Sequence, residues 1–285
     1  RRLAPTIGVV IPSLTNPVFA TVLAGVQETA RQQGLAVILA ASDYDAETEL
    51  AAVETLLSHR VSGLILTLCD AANSKTLELL DREQRPHVFV FNQPRHPARI
   101  AVSVDNPGYA RRMTQAMIAL GHRRIAFLAG HFAASDRSRL RYMGYCEAMA
   151  AANCKTMPPL QVDFVGVDAA RRLAEPFRSD DPPTALLCST DILALAAIGT
   201  LRDLGLTVPD DVSVAGFDGI AIGGMLSPPL ASVMQPTREM GRLAMNLLSQ
   251  QMAGQAVDAP ELLDCEIRLG GTLARAPVRV RALSA

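Results

Sequence analysis

Thr6-Ile7-Gly8-Val9-Val10-Ile11, followed by Pro12-Ser13-Leu14-Thr15-Asn16-Pro17-Val18-Phe19, is the stretch that decides the fold. Its first six residues are a short, nearly continuous apolar run, which reads as a strand buried on both faces. Asn16 is a good N-cap, and Pro17 suits a first helical turn, where a missing N–H does no harm. A helix is expected from Pro17 to about Gln33, with Gly34 as its left-handed stop. A strand, a polar loop and a helix in that order make half of a parallel β/α repeat.

The same order recurs outward from this stretch. Ala36–Ala40, Gly63–Thr67, Val88–Phe91 and Ile100–Val104 read as strands, with helices expected at about 46–60, 74–85 and 106–121. Asn106 and Pro107 repeat the cap signal, and Gly121 the stop. The rhythm restarts at Ile125–Ala129 with a helix at 138–152. It continues with Val162–Val165 and a helix at 167–177, then Ala185–Cys188 and a helix at 191–205 closed by Gly205, then Val212–Phe217. A long helix at 236–253 and two terminal strands, near Leu262–Leu269 and Thr272–Leu273, close the chain. The pattern predicts an α/β protein with parallel sheets covered on both faces. Two such halves, each of over ~100 residues, exceed one compact layer and predict two lobes.

Composition narrows the function. The chain has 285 residues, with 27 Lys and Arg against 28 Asp and Glu, for a formal net charge of −1. A chain that gripped DNA by itself would carry a basic excess, because phosphate neutralisation supplies most nucleic-acid affinity. With 49% hydrophobic and 19% charged residues it can bury a sizeable core. Aromatics are 4% and Trp is absent, so a pocket has one or two rings at most. No apolar run is long enough to cross a bilayer, and the N-terminus lacks the form of a secretory signal. The five cysteines are scattered without a CxxC, which fits free thiols in a reducing compartment and neither a disulfide framework nor a metal site. Phosphate-loop, zinc-protease and nucleophile-elbow motifs are missing, and no acid/base pair stands out, so an enzyme is not expected and no cofactor is implied.

Ligands of open parallel sheets sit beyond the carboxyl ends of strands. Here those ends carry Ser13 and Phe19, Thr67, Asn92, Asp105, Phe164, Thr190 with Asp191, and Asp218. Hydroxyls, amides, carboxylates and a ring suit a polyol, each hydroxyl of which both donates and accepts. Loops and helix caps use the same residue types, so their common placement at strand ends is the stronger argument.

Five segments then carry a family resemblance: VVIPSLTNPVFATVLAGV (Val9–Val26), SVDNPGYA (Ser103–Ala110), ALGHRRIAFLAG (Ala119–Gly130), STDILALAAIGTLRDLGLTVPDDVSVAGFDGI (Ser189–Ile220) and LSPPLASVMQPTREMGRLA (Leu226–Ala244). Together they resemble the effector-binding core of LacI-type transcriptional regulators, over about residues 6–273. The resemblance implies a two-lobed, type I periplasmic-binding-protein-like α/β fold with three crossovers. Residues 1–103 plus 237–264 would form the N-terminal lobe, and 104–236 plus 265–285 the C-terminal lobe. It also implies a helix-turn-helix DNA-binding domain upstream of residue 1, a homodimer, operator DNA as partner through that missing domain, and a cytoplasmic location without membrane association.

Ligand positions carried over by the resemblance are Ser13, Phe19, Thr67, Asn92, Arg141, Phe164, Thr190, Asp218 and Gln235. Arg141, in Arg141-Tyr142-Met143-Gly144-Tyr145, would be the main clamp on hydroxyls or a carboxylate. Phe164 would stack on a sugar face, and Asp218 would accept from hydroxyls. Thr190 stands where family members often have Asn, and an acidic residue common near Phe91 and Asn92 is missing, which favours an anionic ligand. GLILTLCDAANSKTLELL (Gly63–Leu80), with the LASVMQPTREMG ending, is similar to the gluconate and ketogluconate branch. The expected function is a repressor's sensing core that binds a sugar acid or sugar between its lobes and so controls DNA binding. Rival readings are a periplasmic sugar-binding protein of a transport system, which shares the fold, and a sugar-processing enzyme.

Overall fold

The computed structural model describes residues 5–94, 96, 98–164 and 168–278. In chain order the first elements are β1 (Thr6–Ile11), α1 (Pro17–Gln32), β2 (Ala36–Ala41), α2 (Ala46–Ser58), β3 (Gly63–Leu66), α3 (Lys75–Glu83), β4 (His87–Val90) and β5 (Ala101–Val102). Then come α4 (Asn106–Ala119), β6 (Ile125–Gly130), α5 (Asp136–Ala151), β7 (Leu160–Val162), α6 (Asp168–Phe177), β8 (Ala185–Cys188), α7 (Asp191–Asp203), β9 (Ser213–Asp218), α8 (Ala221–Gly224) and β10 (Ala231–Met234). The chain ends with α9 (Thr237–Met252) and β11 (Glu266–Arg268).

The chain divides into two compact units, each built from non-consecutive segments. The first holds residues 1–105, 133–137 and 236–264, and the second 106–132, 138–235 and 265–285. The first unit carries a five-stranded parallel sheet in the order β2-β1-β3-β4-β5. Its core gathers Val10, Leu64, Leu66 and Phe89 from the strands with Val53, Leu56, Leu77 and Leu80 from α2 and α3. On the sheet's other side α1 crosses α9 so closely that a Cβ on Gly25 would lie 2.1 Å from the Arg238 carbonyl oxygen, and one on Gly241 2.1 Å from that of Val22. The second unit carries a six-stranded sheet in the order β11-β10-β9-β8-β6-β7, parallel except for β11 against β10. Leu128, Leu186, Val214, Leu173, Phe177 and Leu201 are in its core. No helix of the described residues is long and apolar enough to cross a membrane.

Most expected elements are present, with Gly34, Gly121 and Gly205 at positive φ after their helices. Asn16 caps α1 by accepting from the Val18 N–H at 3.2 Å. Five readings change. Asn106 lies inside α4, and its side-chain oxygen accepts from Arg141 Nε at 2.9 Å, so a cap residue has been recruited to an arginine. The strand β10 and the short helix α8 were not expected. The terminal strand shrinks to β11, which runs antiparallel, while Leu263 only bridges Val104. Thr272 is not in a strand; its Oγ1 donates to Val214 O at 2.7 Å and accepts from Ala231 N at 2.8 Å, stitching β9 to β10. The strand expected at Val162–Val165 lies at Leu160–Val162, and Val165, Val167 and the last seven residues are outside the described residues.

Candidate functional site

In the first unit, polar side chains stand at the carboxyl ends of β1, β3 and β4, and those of β3 and β4 tie the two strand ends together. Ser13 Oγ accepts from the N–H groups of Thr15 at 3.1 Å and Asn16 at 3.4 Å, so it shapes the loop that enters α1. Phe19, on the first turn of α1, is buried edge-on to Phe91 with centroids 5.5 Å apart and to Tyr44 at 6.4 Å. Asp43, Tyr44 and Phe91 all hold positive φ, a backbone region that costs non-glycine residues energy and gathers at functional loops. Thr67 Oγ1 donates to Val90 O at 3.1 Å, fastening the end of β3 to β4.

Asn92 is fully buried, and its amide is fully engaged. Its Oδ1 accepts from Leu68 N at 2.8 Å, and its Nδ2 donates to Leu68 O and to both Asp136 oxygens at 2.9 and 3.1 Å. Asp136 also accepts from Ala71 N at 3.1 Å and from Arg137 Nη1 at 3.0 Å. Behind this group Glu49 on α2 is buried, accepting from Cys69 N and from Thr76 Oγ1. Burial raises the Glu49 carboxyl above its ordinary range, and burial with the nearby Glu49 charge pushes the Cys69 thiol up to about 12. Asp136, Arg137, Glu49 and Tyr44 were not anticipated as parts of the site.

The second unit centres on Arg141 and Asp218, both nearly fully buried. Arg141 Nε donates to Asn106, and Nη1 to Ser189 O and to Asp218 Oδ1 at 3.3 Å. The guanidinium lies 3.6 Å above the Phe217 ring centroid, a cation–π contact in a desolvated place. Asp218 stands at the end of β9 with φ +122, and Gln235 Nε2 donates to its Oδ1 at 3.0 Å. Burial pushes the Asp218 carboxyl up to about 7; Arg141 pulls it down and the neighbouring Asp191 charge pushes it further up. Asp191 accepts from Ser232 Oγ at 2.6 Å and Ile220 N at 2.8 Å, and burial raises it too. Among the described residues, Asp218 Oδ2 and Gln235 Oε1 are buried acceptors without a hydrogen-bond partner.

Of the expected positions, Arg141, Asp218 and Gln235 are in direct contact. Thr190 is next to Ser189, but its hydroxyl is committed to capping α7, accepting from Leu193 N at 3.3 Å. Phe164 lies over Gly130 at the end of β6, where any Cβ would fall about 2.0 Å from ring atoms. In the first unit Phe19, Thr67 and Asn92 gather at adjoining strand ends. A separate cavity of about 880 Å³ in that unit, edged by Arg85, His87, His96 and Arg99, is lined by none of the expected residues.

Residues 114–273 match the family described as periplasmic binding protein-like domain. The chain is 35% identical over 270 residues to the HTH-type transcriptional regulator GntR of Escherichia coli K12, covering 94% of this chain and 80% of that protein. The chain belongs to the LacI family of transcriptional regulators. Solved LacI-type neighbours agree. One is a LacI family transcriptional regulator from Silicibacter pomeroyi, at 27% identity and TM-score 0.78, covering 94% of this chain and 98% of that one. Another is described as a ribose operon repressor from Burkholderia thailandensis, at 30% identity and TM-score 0.81, covering 94% of this chain and all of that one. LacI-family membership brings with it the two-lobed periplasmic-binding-protein-like fold.

Proposed function

We propose that this chain is the ligand-sensing and dimerisation core of a transcriptional repressor, and that its effector is a sugar acid of the gluconate or ketogluconate kind. The observation that carries the ligand class is the pair of buried, unpartnered acceptors, Asp218 Oδ2 and Gln235 Oε1, beside Arg141. Leaving buried acceptors unmatched is costly, and hydroxyl donors are the groups that would match them. The regulators among its relatives support sensing over catalysis, and they favour a cytoplasmic repressor over a transport receptor. Operator contacts fall to a helix-turn-helix outside these residues. The effector shifts the protein between two arrangements only as far as it binds them unequally.

A thermal-denaturation screen of gluconate, 2-ketogluconate, 5-ketogluconate and neutral sugars tests the proposal. A true effector at about 100 times its Kd should add about 2.7 kcal/mol of stability. Recovery of the effector unchanged after long incubation is expected of a sensor. Stabilisation by no sugar acid, or a turnover product, would remove the reading.

A further inference from the structure

Two connections in the first unit each bring an arginine and a histidine to the outer edge of its sheet. The link from α3 to β4 carries Arg85 and His87, and the link from β4 to the edge strand β5 carries His96 and Arg99. All four border the cavity of about 880 Å³. Every residue lining that cavity belongs to the first unit, and none is an expected effector contact. We infer that this cavity is a second binding site, for the phosphate monoester of a small hydroxylated molecule. The inference does not depend on the sugar-acid reading.

Charge is the first ground. Arg99 Nη2 donates to Asp81 Oδ2 at 2.8 Å, so that arginine has a carboxylate of its own. Arg85 and His96 are exposed and carry no ion pair among the described residues. The helices α3 and α9 both end beside the cavity, and helix carboxyl ends favour cations. At an exposed rim that attraction is weak and screened by salt, so Arg85 remains open to an anion.

The protons are the second ground. A carbonyl oxygen only accepts, so His87 Nδ1, 2.8 Å from Arg85 O, carries the ring hydrogen and Nε2 keeps a lone pair. Ala98 N–H donates to His96 Nδ1 at 3.2 Å, so neutral His96 carries its hydrogen on Nε2. Burial chiefly, with the Arg99 charge, lowers the pKa of His87 and keeps it neutral. The rim thus offers donors at Arg85, Arg99 and His96 and an acceptor at His87.

Three donors on two chain segments suit the three outer oxygens of a phosphate group better than the two of a carboxylate. Charge-assisted bonds of this kind are roughly twice as strong as neutral ones. The acceptor at His87 calls for a hydroxyl on the same molecule. Inorganic phosphate has an O–H of its own and is the smaller alternative. The volume favours the ester, because pockets of roughly 300–1,000 Å³ hold whole small molecules.

Calorimetric titration of the 285-residue chain in phosphate-free buffer near neutral pH tests this with glycerol 3-phosphate, inorganic phosphate and glycerol. Wild type should bind glycerol 3-phosphate, bind inorganic phosphate more weakly and show no measurable affinity for glycerol. Arg85→Glu should weaken glycerol 3-phosphate about tenfold or more, and Arg85→Gln by less. Arg202→Glu makes the same charge change at an exposed arginine of the second unit and should stay within about twofold. Asp218→Asn should also leave this affinity unchanged. Equal losses in Arg85→Glu and Arg202→Glu would mean diffuse attraction and overturn the site. A loss in Asp218→Asn but not in Arg85→Glu would place the ester at the second unit's buried acid and overturn it as well. Inorganic phosphate binding as tightly as the ester would overturn the assignment to an ester, and a wild type that binds neither would remove the inference.

Discussion

Asp218 is a carboxylate kept at the edge of ionisation. Its carboxyl is pushed up to about 7 from an ordinary 3.8, chiefly by burial. Between those values the unfolded chain is ionised while the folded chain holds the proton. Folding then takes up a proton, and stability falls as pH rises from about 4 to about 7. The effect is bounded at about 4 kcal/mol, because each pKa unit is worth about 1.4 kcal/mol. Glu49 and Asp191 are shifted in the same direction, while His87 and His122, held low by burial, lose stability as pH falls through their ordinary 6.5. Comparison with Asp218→Asn isolates the one group: urea melts should show wild type losing ground to the variant as pH rises from 4 to 8. A difference that stays flat would mean that Arg141 outweighs burial and keeps Asp218 ionised throughout. Arg141→Ala should in turn destabilise the protein by about 3–5 kcal/mol at pH 8, by stranding a buried acid, and by less at pH 5, where the acid is neutral. Asp218 and Arg141 were legible because strand ends and a recognisable arginine motif mark them. Arg137 was not: Asp136-Arg137-Ser138-Arg139 reads as an ordinary solvated helix start, and only the fold buries two of its charges against Asn92 and Leu68.

At the scale of elements, the parallel strands were legible because each is a short apolar run between capped helices. The exceptions have local causes. β10 follows Pro228-Pro229 and is four residues long, with no helix of the usual length before it, so it does not fit the repeat. β11 adds to the sheet edge through antiparallel bonds to Ser232–Met234, a partnership that the order of elements does not announce. The crossing of α1 and α9 is also invisible in sequence, since Gly25 and Gly241 are 216 positions apart and each looks like a tolerated helical glycine. In the fold each admits the other helix's backbone, at Arg238 and Val22. Gly25→Ala places a Cβ against a backbone oxygen that a side-chain rotation cannot clear. It should destabilise by about 1–3 kcal/mol, despite alanine's better helix propensity of about 1 kcal/mol. Chemical denaturation measures this, with Gly199→Ala on α7 as the control, where a Cβ meets nothing within 4 Å and should stabilise slightly. If both alanines stabilise alike, the helices have room to separate and the close crossing is not a constraint.

At the scale of the whole molecule, the division into two units built from interleaved segments follows from the chain returning at α9 to the sheet it left after β5. Sequence pattern supplies the count of strands more readily than this return, because a long amphipathic helix late in a chain fits either unit until its partner is known. Charge, by contrast, is a property of the whole that composition states directly. With 27 basic and 28 acidic residues the chain has no excess of cations with which to displace the counterions of DNA. LacI-family membership does not change that arithmetic, and the function proposed above leaves DNA contact to a segment outside the two units. The 285-residue chain should therefore leave a labelled duplex unshifted in an electrophoretic assay at about 0.1 M salt, where non-specific Kd values of even DNA-binding proteins rise to about 10⁻⁴–10⁻⁶ M. Addition of gluconate should not create binding, because an effector alters an existing affinity by a finite factor and cannot supply the missing phosphate contacts. Joining a basic helix-turn-helix ahead of residue 1 should create a shift that falls steeply with salt and responds to gluconate. A shift by the 285-residue chain alone would place the DNA-reading surface within the two units and undo the division of labour proposed for this protein.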